Sequence, residues 1–202
     1  MTTIEFVFDF ASPNAYLAYR AMPPILDRTG ATLKLTPCLL GGIFKATGNQ
    51  APMMAFAKVK GKLQYERLEI KRFIGAHQLT RFRMNPHFPV NTLLMMRAAL
   101  VAQARNELMA YVEAGLSLMW EQGEKMDEPA VFLSTLTDAG FDAQALLDGA
   151  QTPTIKQQLM ENTAEAVDRG CFGIPTFFVG DEMYFGKERL AQLERAAARG
   201  AT

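Results

Sequence analysis

The chain has 202 residues, enough to bury a sizeable core as one domain or as one domain carrying a large insertion. Its 21 Lys and Arg balance 21 Asp and Glu, which argues against a dedicated nucleic-acid binder, since such proteins carry a basic excess. No apolar run approaches the roughly 20 residues that span a bilayer, and the first residues lack the charge and apolar run of a secretory signal. Cys38 and Cys171 lie far apart and match no metal-ligand spacing. The expectation is a cytoplasmic, reducing location with no membrane, nucleic-acid or metal partner. Fourteen Phe and 12 Met suit core filling, with an apolar pocket or a subunit interface as the alternative.

Ile4 to Phe10 is rich in Ile, Phe and Val and reads as a first strand. Ser12 follows as a helix N-cap and Pro13 as the first helical residue. That helix runs through Tyr16, Leu17 and Met22 towards Arg28 and stops at Gly30, with a kink or break at Pro23-Pro24. Thr32 to Leu39 alternates and reads as a second strand, with Pro37 near its end. From about residue 53 to 170 the pattern is almost wholly helical. Thr92 to Arg105, Leu108 to Gln122, Pro129 to Ala139, Ala143 to Leu147 and Thr154 to Arg169 each keep a helical period. Arg81 to Asn91, with Pro86 and Pro89, interrupts them as an ordered loop. The strand pattern returns at Thr176 to Val179, turns through Gly180-Asp181-Glu182 and resumes at Met183 to Phe185. A last helix starts near Lys187 and ends at Arg199. The order β-α-β, a long helical stretch, then β-β-α suits an α/β fold. In it a thioredoxin-like sheet (residues 1–50 and 170–202) carries a large all-helical insertion domain (residues 51–169).

A strand that ends in a small polar residue at a helix N-terminus makes a place where an anion is held. Ser12 fills that place. In thiol-disulfide enzymes of the thioredoxin type a cysteine stands there; this chain has a serine and no Cys-x-x-Cys. As a nucleophile Ser12 lacks a base, because His77 and His87 are the only histidines and neither lies in a triad pattern. As an N-cap and as a hydrogen-bond donor to somebody else's sulfur it has two compatible roles.

Five segments in chain order carry a closer resemblance. They are Phe8-Asp9-Phe10-Ala11-Ser12-Pro13 with Tyr16; Gly41-Gly42-Ile43-Phe44 followed by Thr47-Gly48-Asn49; Phe88-Pro89-Val90-Asn91 with Arg97; Phe172-Gly173-Ile174-Pro175; and Phe185-Gly186 with Glu188-Arg189. Over nearly the whole chain they resemble the 2-hydroxychromene-2-carboxylate isomerases. These stand with the kappa-class glutathione transferases in the wider family that includes the DsbA-like oxidoreductases. The resemblance implies a cis Ile174-Pro175 bond, with Ile174 facing Ser12 and its N–H and C=O open to an extended peptide.

It also implies that the peptide is glutathione. Ser12 would hold its thiol as the thiolate, against an ordinary pKa near 8.5. Glu188 would meet the amine and Arg189 a carboxylate, although Glu188 by itself also reads as a first-turn acid complementing the helix dipole. Asn49 would reach the bound peptide. Lys62 best matches a family lysine near the glycyl end, with Lys58 and Lys60 as competitors and a solvated lysine cluster as the plain alternative. Tyr16, Phe44, Phe82 and Phe88 would hold aromatic rings. Asn91 either borders that pocket or caps the helix after it, and Cys171 reads as a buried structural cysteine. The activity implied is a glutathione-dependent isomerase acting on a small aromatic substrate in naphthalene-type catabolism. It would interconvert 2-hydroxychromene-2-carboxylate and trans-o-hydroxybenzylidenepyruvate by reversible thiolate addition, as a homodimer. The alternatives are a kappa-like transferase conjugating electrophiles and a non-catalytic thioredoxin-fold binding module. A DsbA-like oxidoreductase fits least, because Ser12 cannot form a mixed disulfide.

Overall fold

The computed structural model describes residues 2–200. Strand β1, Thr3–Phe8, ends two residues before the apolar run does. The cause is Asp9, whose carbonyl accepts from Ser12 N–H at 3.2 Å and whose Oδ1 accepts from Ala11 N–H at 2.9 Å, closing a turn. Helix α1, Pro13–Ala21, starts at once. The expected break falls at Met22, where Pro23-Pro24 open α2, Pro23–Thr29. Gly30 ends α2 with φ 64°, a conformation that costs an L side chain but not glycine. β2, Thr32–Pro37, pairs in parallel with β1 from Thr3↔Thr32 to Phe8↔Pro37.

β2 stops at Pro37 rather than Leu39: Cys38 N–H still donates to the Phe8 carbonyl of β1 at 3.1 Å, but the two amides after it are taken from outside the sheet. Leu39 N–H donates to Thr163 Oγ1 at 3.0 Å and Leu40 N–H to Asp9 Oδ2 at 2.7 Å. These bonds launch α3, Leu40–Thr47, a helix that the Gly41-Gly42 pair conceals in the sequence. Packing requires the second glycine: a Cβ on Gly42 would lie 3.0 Å from Thr163 Cγ2.

The helical stretch comprises α4 (Pro52–Ala55), α5 (Lys62–Ala76), α6 (Leu93–Ala104), α7 (Leu108–Ser117), α8 (Pro129–Asp138), α9 (Ala143–Gly149) and α10 (Pro153–Asp168). The single helix expected over Leu108 to Gln122 is instead α7 followed by one π turn, Leu118–Gln122. The π turn carries Trp120, whose Nε1–H donates to the Phe10 carbonyl at 2.9 Å. The loop before α6 is ordered, as expected. Asn85 is buried in it and donates to the carbonyls of Met119 and Glu124, each at 2.9 Å.

β3 (Thr176–Val179) pairs antiparallel with β1, and β4 (Glu182–Phe185) antiparallel with β3, so the sheet order is β2-β1-β3-β4. The last helix begins as a 3₁₀ turn, Lys187–Arg189, before α11, Leu190–Arg199. The β-α-β … β-β-α order is therefore present around one mixed sheet. An aromatic chain ties that sheet to the helices. Phe177 stacks on Phe6 at 4.8 Å, Phe8 meets Phe10 edge-on at 5.5 Å, and Phe10 meets Tyr111 at 5.8 Å. Such pairs add about 0.5–1.5 kcal/mol each beyond the area they bury. α10 packs against α3, α6 and β2. Among the described residues no helix is long and apolar enough to cross a membrane.

Candidate active site

The Ile174–Pro175 bond is cis, and Ile174 faces the turn after β1. Ser12 Oγ–H donates to the Ile174 carbonyl at 3.1 Å, while Oγ accepts from Ala15 N–H at 3.2 Å as the N-cap of α1. Ser12 and Ile174 are 5% and 7% exposed, so this contact lies under a thin cover of protein. The carbonyl of Ile174 is thus already used by Ser12. Its N–H donates to no acceptor among the described residues. A buried backbone donor without a partner costs free energy until a ligand or water takes it. Cys38 and Cys171 are both buried and free. Burial pushes both thiols up, most strongly at Cys38, so neither supplies a thiolate at neutral pH.

The rim around Ile174 is apolar on one side and charged on the other. Phe172 and Phe185 are both exposed, with ring centroids 4.4 Å apart. Asn49 does reach this segment: its Nδ2 donates to the Phe172 carbonyl at 2.7 Å, and its Oδ1 accepts from Gln50 N–H. Gly186 N–H donates to the Pro175 carbonyl at 2.9 Å, which sets the 187–189 turn beside the cis proline. Arg189 is exposed there. Glu188 is exposed too, but its carboxylate is paired with Lys187, whose ammonium is buried over the Phe73 ring. Lys62 lies on α5, paired with Glu66 and set 5.1 Å over the Phe56 ring. Among the described residues no hydrogen bond or ion pair joins it to the Ser12 segment. Lys58 and Lys60 are exposed.

Of the expected ring pocket, Tyr16, Phe82 and Phe88 are linked through close packing. Phe82 lies 5.6 Å from Tyr16 and 6.2 Å from Trp120, and Phe88 lies 6.0 Å from Trp120. Tyr16 is fully buried and its hydroxyl donates to Glu121 Oε1 at 3.0 Å, so it forms a wall. Burial, then Glu121, pushes its phenol up. Phe44 is half-buried on α3 and makes no ring contact with these three. Asn91 takes the capping role: its Oδ1 accepts from Leu93 N–H at 3.0 Å at the start of α6.

Three polar groups near the site went unread in the sequence. Asp9 is wholly buried, with Oδ1 accepting from Ala11 N–H and Thr92 Oγ1–H (2.6 Å) and Oδ2 from Leu40 N–H. Burial pushes its carboxyl up against the pull of those three donors. It holds the ends of β1, α3 and α6 together; the only sequence signal was a lone acid between two Phe. Glu121, 5% exposed, accepts from Tyr16 and Ser117 and pairs with Arg20 at 2.8 Å and Arg81 at 2.5 Å. Burial alone would raise its carboxyl, but these donors outweigh it and the net shift is downward. Asn14, two residues after Ser12, has its Oδ1 buried without a partner.

The DSBA-like thioredoxin domain family matches residues 3–198. The chain is 28% identical over 198 residues to a 2-hydroxychromene-2-carboxylate isomerase of Pseudomonas putida, covering 97% of this chain and 94% of that one. It is 29% identical over 199 residues to glutathione S-transferase kappa 1 of Rattus norvegicus, covering 94% and 88%. A solved 2-hydroxychromene-2-carboxylate isomerase superposes with a TM-score of 0.81 at 28% identity, over 98% of this chain and 95% of that one. With the family match running from β1 to α11 and both Ser12 and the cis Ile174–Pro175 bond inside it, the chain belongs to the DsbA-like thioredoxin family.

Proposed function

We propose that this protein is a glutathione-dependent isomerase that interconverts 2-hydroxychromene-2-carboxylate and trans-o-hydroxybenzylidenepyruvate. One observation carries the reading. A serine hydroxyl at a helix N-terminus lies 3.1 Å from the carbonyl before a cis proline, beside an unpaired backbone N–H, and both cysteines are buried. Such a site has a place for sulfur and no sulfur of its own. The similarity to isomerases and kappa transferases supports glutathione as the source.

The residues present fit the tripeptide. The free Ile174 N–H suits a backbone carbonyl of an extended peptide. Arg189 is available for a carboxylate, and Glu188 for an amine once it releases Lys187. Asn49 would turn from Phe172 to the peptide, and Lys62 would leave Glu66 to meet the glycyl carboxylate. Glutathione, when bound, supplies a thiolate that adds reversibly to a conjugated carbon and so frees a double bond to rotate. Ser12 must rotate its hydroxyl proton from Ile174 towards the sulfur. The positive end of α1 adds to that stabilisation. The packed group Tyr16, Phe82 and Phe88, with Phe44 and Asn91 further along, would border the aromatic substrate. The sheet-bearing residues 1–50 and 170–202 would then supply most of the peptide site with Tyr16 and Phe44 of the ring wall, and the insertion 51–169 would add Lys62 to the first and Phe82, Phe88 and Asn91 to the second. A cytoplasmic homodimer is part of the same proposal.

The test follows the absorbance of purified 2-hydroxychromene-2-carboxylate with enzyme, with and without glutathione, and then titrates the remaining thiol. The reading predicts glutathione-dependent equilibration with all glutathione recovered. Equilibration that ignores glutathione would contradict it. The match to kappa 1 favours one second reading, a transferase. It predicts a stable thioether and an equal loss of free thiol.

A further inference from the structure

α3, α6 and α10 border a half-open pocket of about 260 Å³ whose lining includes neither Ser12 nor Ile174. Leu39, Leu93, Leu159, Met160 and Val167 line its walls, and no aromatic ring does. Two cations also line it, Arg97 from α6 and Lys156 from α10. Neither has an ion pair among the described residues, and Arg97 Nε is buried with no hydrogen-bond partner. Some arginines here have carboxylate partners, Arg20 with Glu113 and Glu121, Arg28 with Glu194 and Arg169 with Glu5; Arg20 Nε is buried without a hydrogen bond as Arg97 Nε is, but its guanidinium keeps two carboxylates and that of Arg97 has none. A guanidinium donor held out of water without an acceptor costs free energy unless something answers it. Arg97 belongs to one of the motifs that the sequence singles out, yet the thiol site makes no use of it.

We propose that this cavity is a second ligand site, for a small aliphatic monocarboxylate. The two cations specify a single anionic head, and Arg97 can bind it through a planar fork. The aliphatic walls specify an apolar tail, and the lack of a ring to stack on disfavours an arene. The volume lies just under the about 300–1,000 Å³ common for drug-sized ligands, so the tail is short. This ligand differs in class from the aromatic substrate of the thiol site and does not depend on that reading.

The test titrates octanoate, octan-1-ol and 3-phenylpropionate into the whole protein by calorimetry. Octanoate should bind about tenfold more tightly than octan-1-ol, the worth of a charge-assisted hydrogen bond, and more tightly than 3-phenylpropionate. Ala164→Phe, which fills the cavity from an exposed position on α10, should abolish octanoate binding and leave thermal unfolding unchanged. Lys156→Gln should weaken octanoate by about fivefold and leave octan-1-ol unaffected. Arg97→Gln should weaken it further; because that variant disturbs a half-buried site, Lys156→Gln and Ala164→Phe decide if it unfolds. Octanoate binding that matches octan-1-ol, or that survives Ala164→Phe, would overturn the proposal.

Discussion

Asp9 and Ser12 lie three residues apart in one turn and differ in how their bonding capacity is used. Asp9 is closed: its two carboxylate oxygens are both occupied, together by three donors from three different segments, and nothing at its position reaches solvent. Ser12 is half-open: its oxygen caps α1, its proton rests on a carbonyl, and the neighbouring Ile174 N–H is unpaired. Satisfied groups give the turn its shape. The unsatisfied one, with the exposed Phe172, Phe185 and Arg189 around it, leaves the turn something to bind. Stability and function are therefore separable within a span of four residues, and substitutions should show it.

The largest effect belongs to the closed member. Asp9→Ala strands three donors, the buried Thr92 hydroxyl and the part-buried amides of Ala11 and Leu40, and should cost about 3 kcal/mol of unfolding free energy in urea, at roughly 1 kcal/mol or more for each lost partner. The folded fraction should keep its turnover. A soluble, folded Asp9 variant with no activity would break the separation. Ser12→Ala should do the reverse. Turnover should fall about 10²-fold, the scale seen when one preorganised donor is removed, while stability drops by only about 1 kcal/mol for the lost cap. Ser12→Thr, which keeps the hydroxyl, should recover most of that turnover; rates equal to those of the alanine variant would remove the hydroxyl from the account.

Next in size is a contrast in pH dependence between the two buried carboxylates. Glu121 is shifted below its ordinary value of 4.5, so the folded state binds fewer protons than the unfolded chain. Its stabilisation is present above that value and is lost as pH falls through the folded pKa. Asp9 is shifted above its ordinary 3.8, so its contribution is present below that value and is lost as pH rises through the folded pKa. Urea midpoints measured from roughly pH 3 to 7 should therefore rise less steeply for Glu121→Gln than for wild type, and more steeply for Asp9→Asn. Slopes that change in the same direction would contradict the assigned shifts. The smallest effect is expected at the rim. Asn49→Ala removes one exposed hydrogen bond to Phe172, so it should cost under about 1 kcal/mol of stability and weaken glutathione binding several-fold in calorimetry.

The strands and their order along the chain were legible in the sequence, because strand alternation and Ser12-Pro13 are local patterns; that Ile174 faces Ser12 came from the family resemblance, and the strand order within the sheet only from the structure. Residues whose meaning depends on remote partners were not. α3 hides behind Gly41-Gly42, since the bonds that start it come from Asp9 and Thr163. The π turn at Leu118–Gln122 keeps a helical hydrophobic period, so only its bonding reveals it. Tyr16 reads as a pocket residue until Glu121, 105 positions later, takes its hydroxyl. Lys62 and Glu188 match a pattern, but their charges are spent on Glu66 and Lys187, and pairing of that kind leaves no trace in residue type.

In the proposed function Ser12 keeps a borrowed sulfur ionised. Ultraviolet titration of the thiolate of glutathione bound to wild type and to Ser12→Ala tests it most directly. The account predicts a bound thiol pKa clearly below the roughly 8.5 of a free thiol in wild type, returning towards that value in the alanine variant. The same depressed pKa in both proteins, with glutathione bound in each, would contradict it.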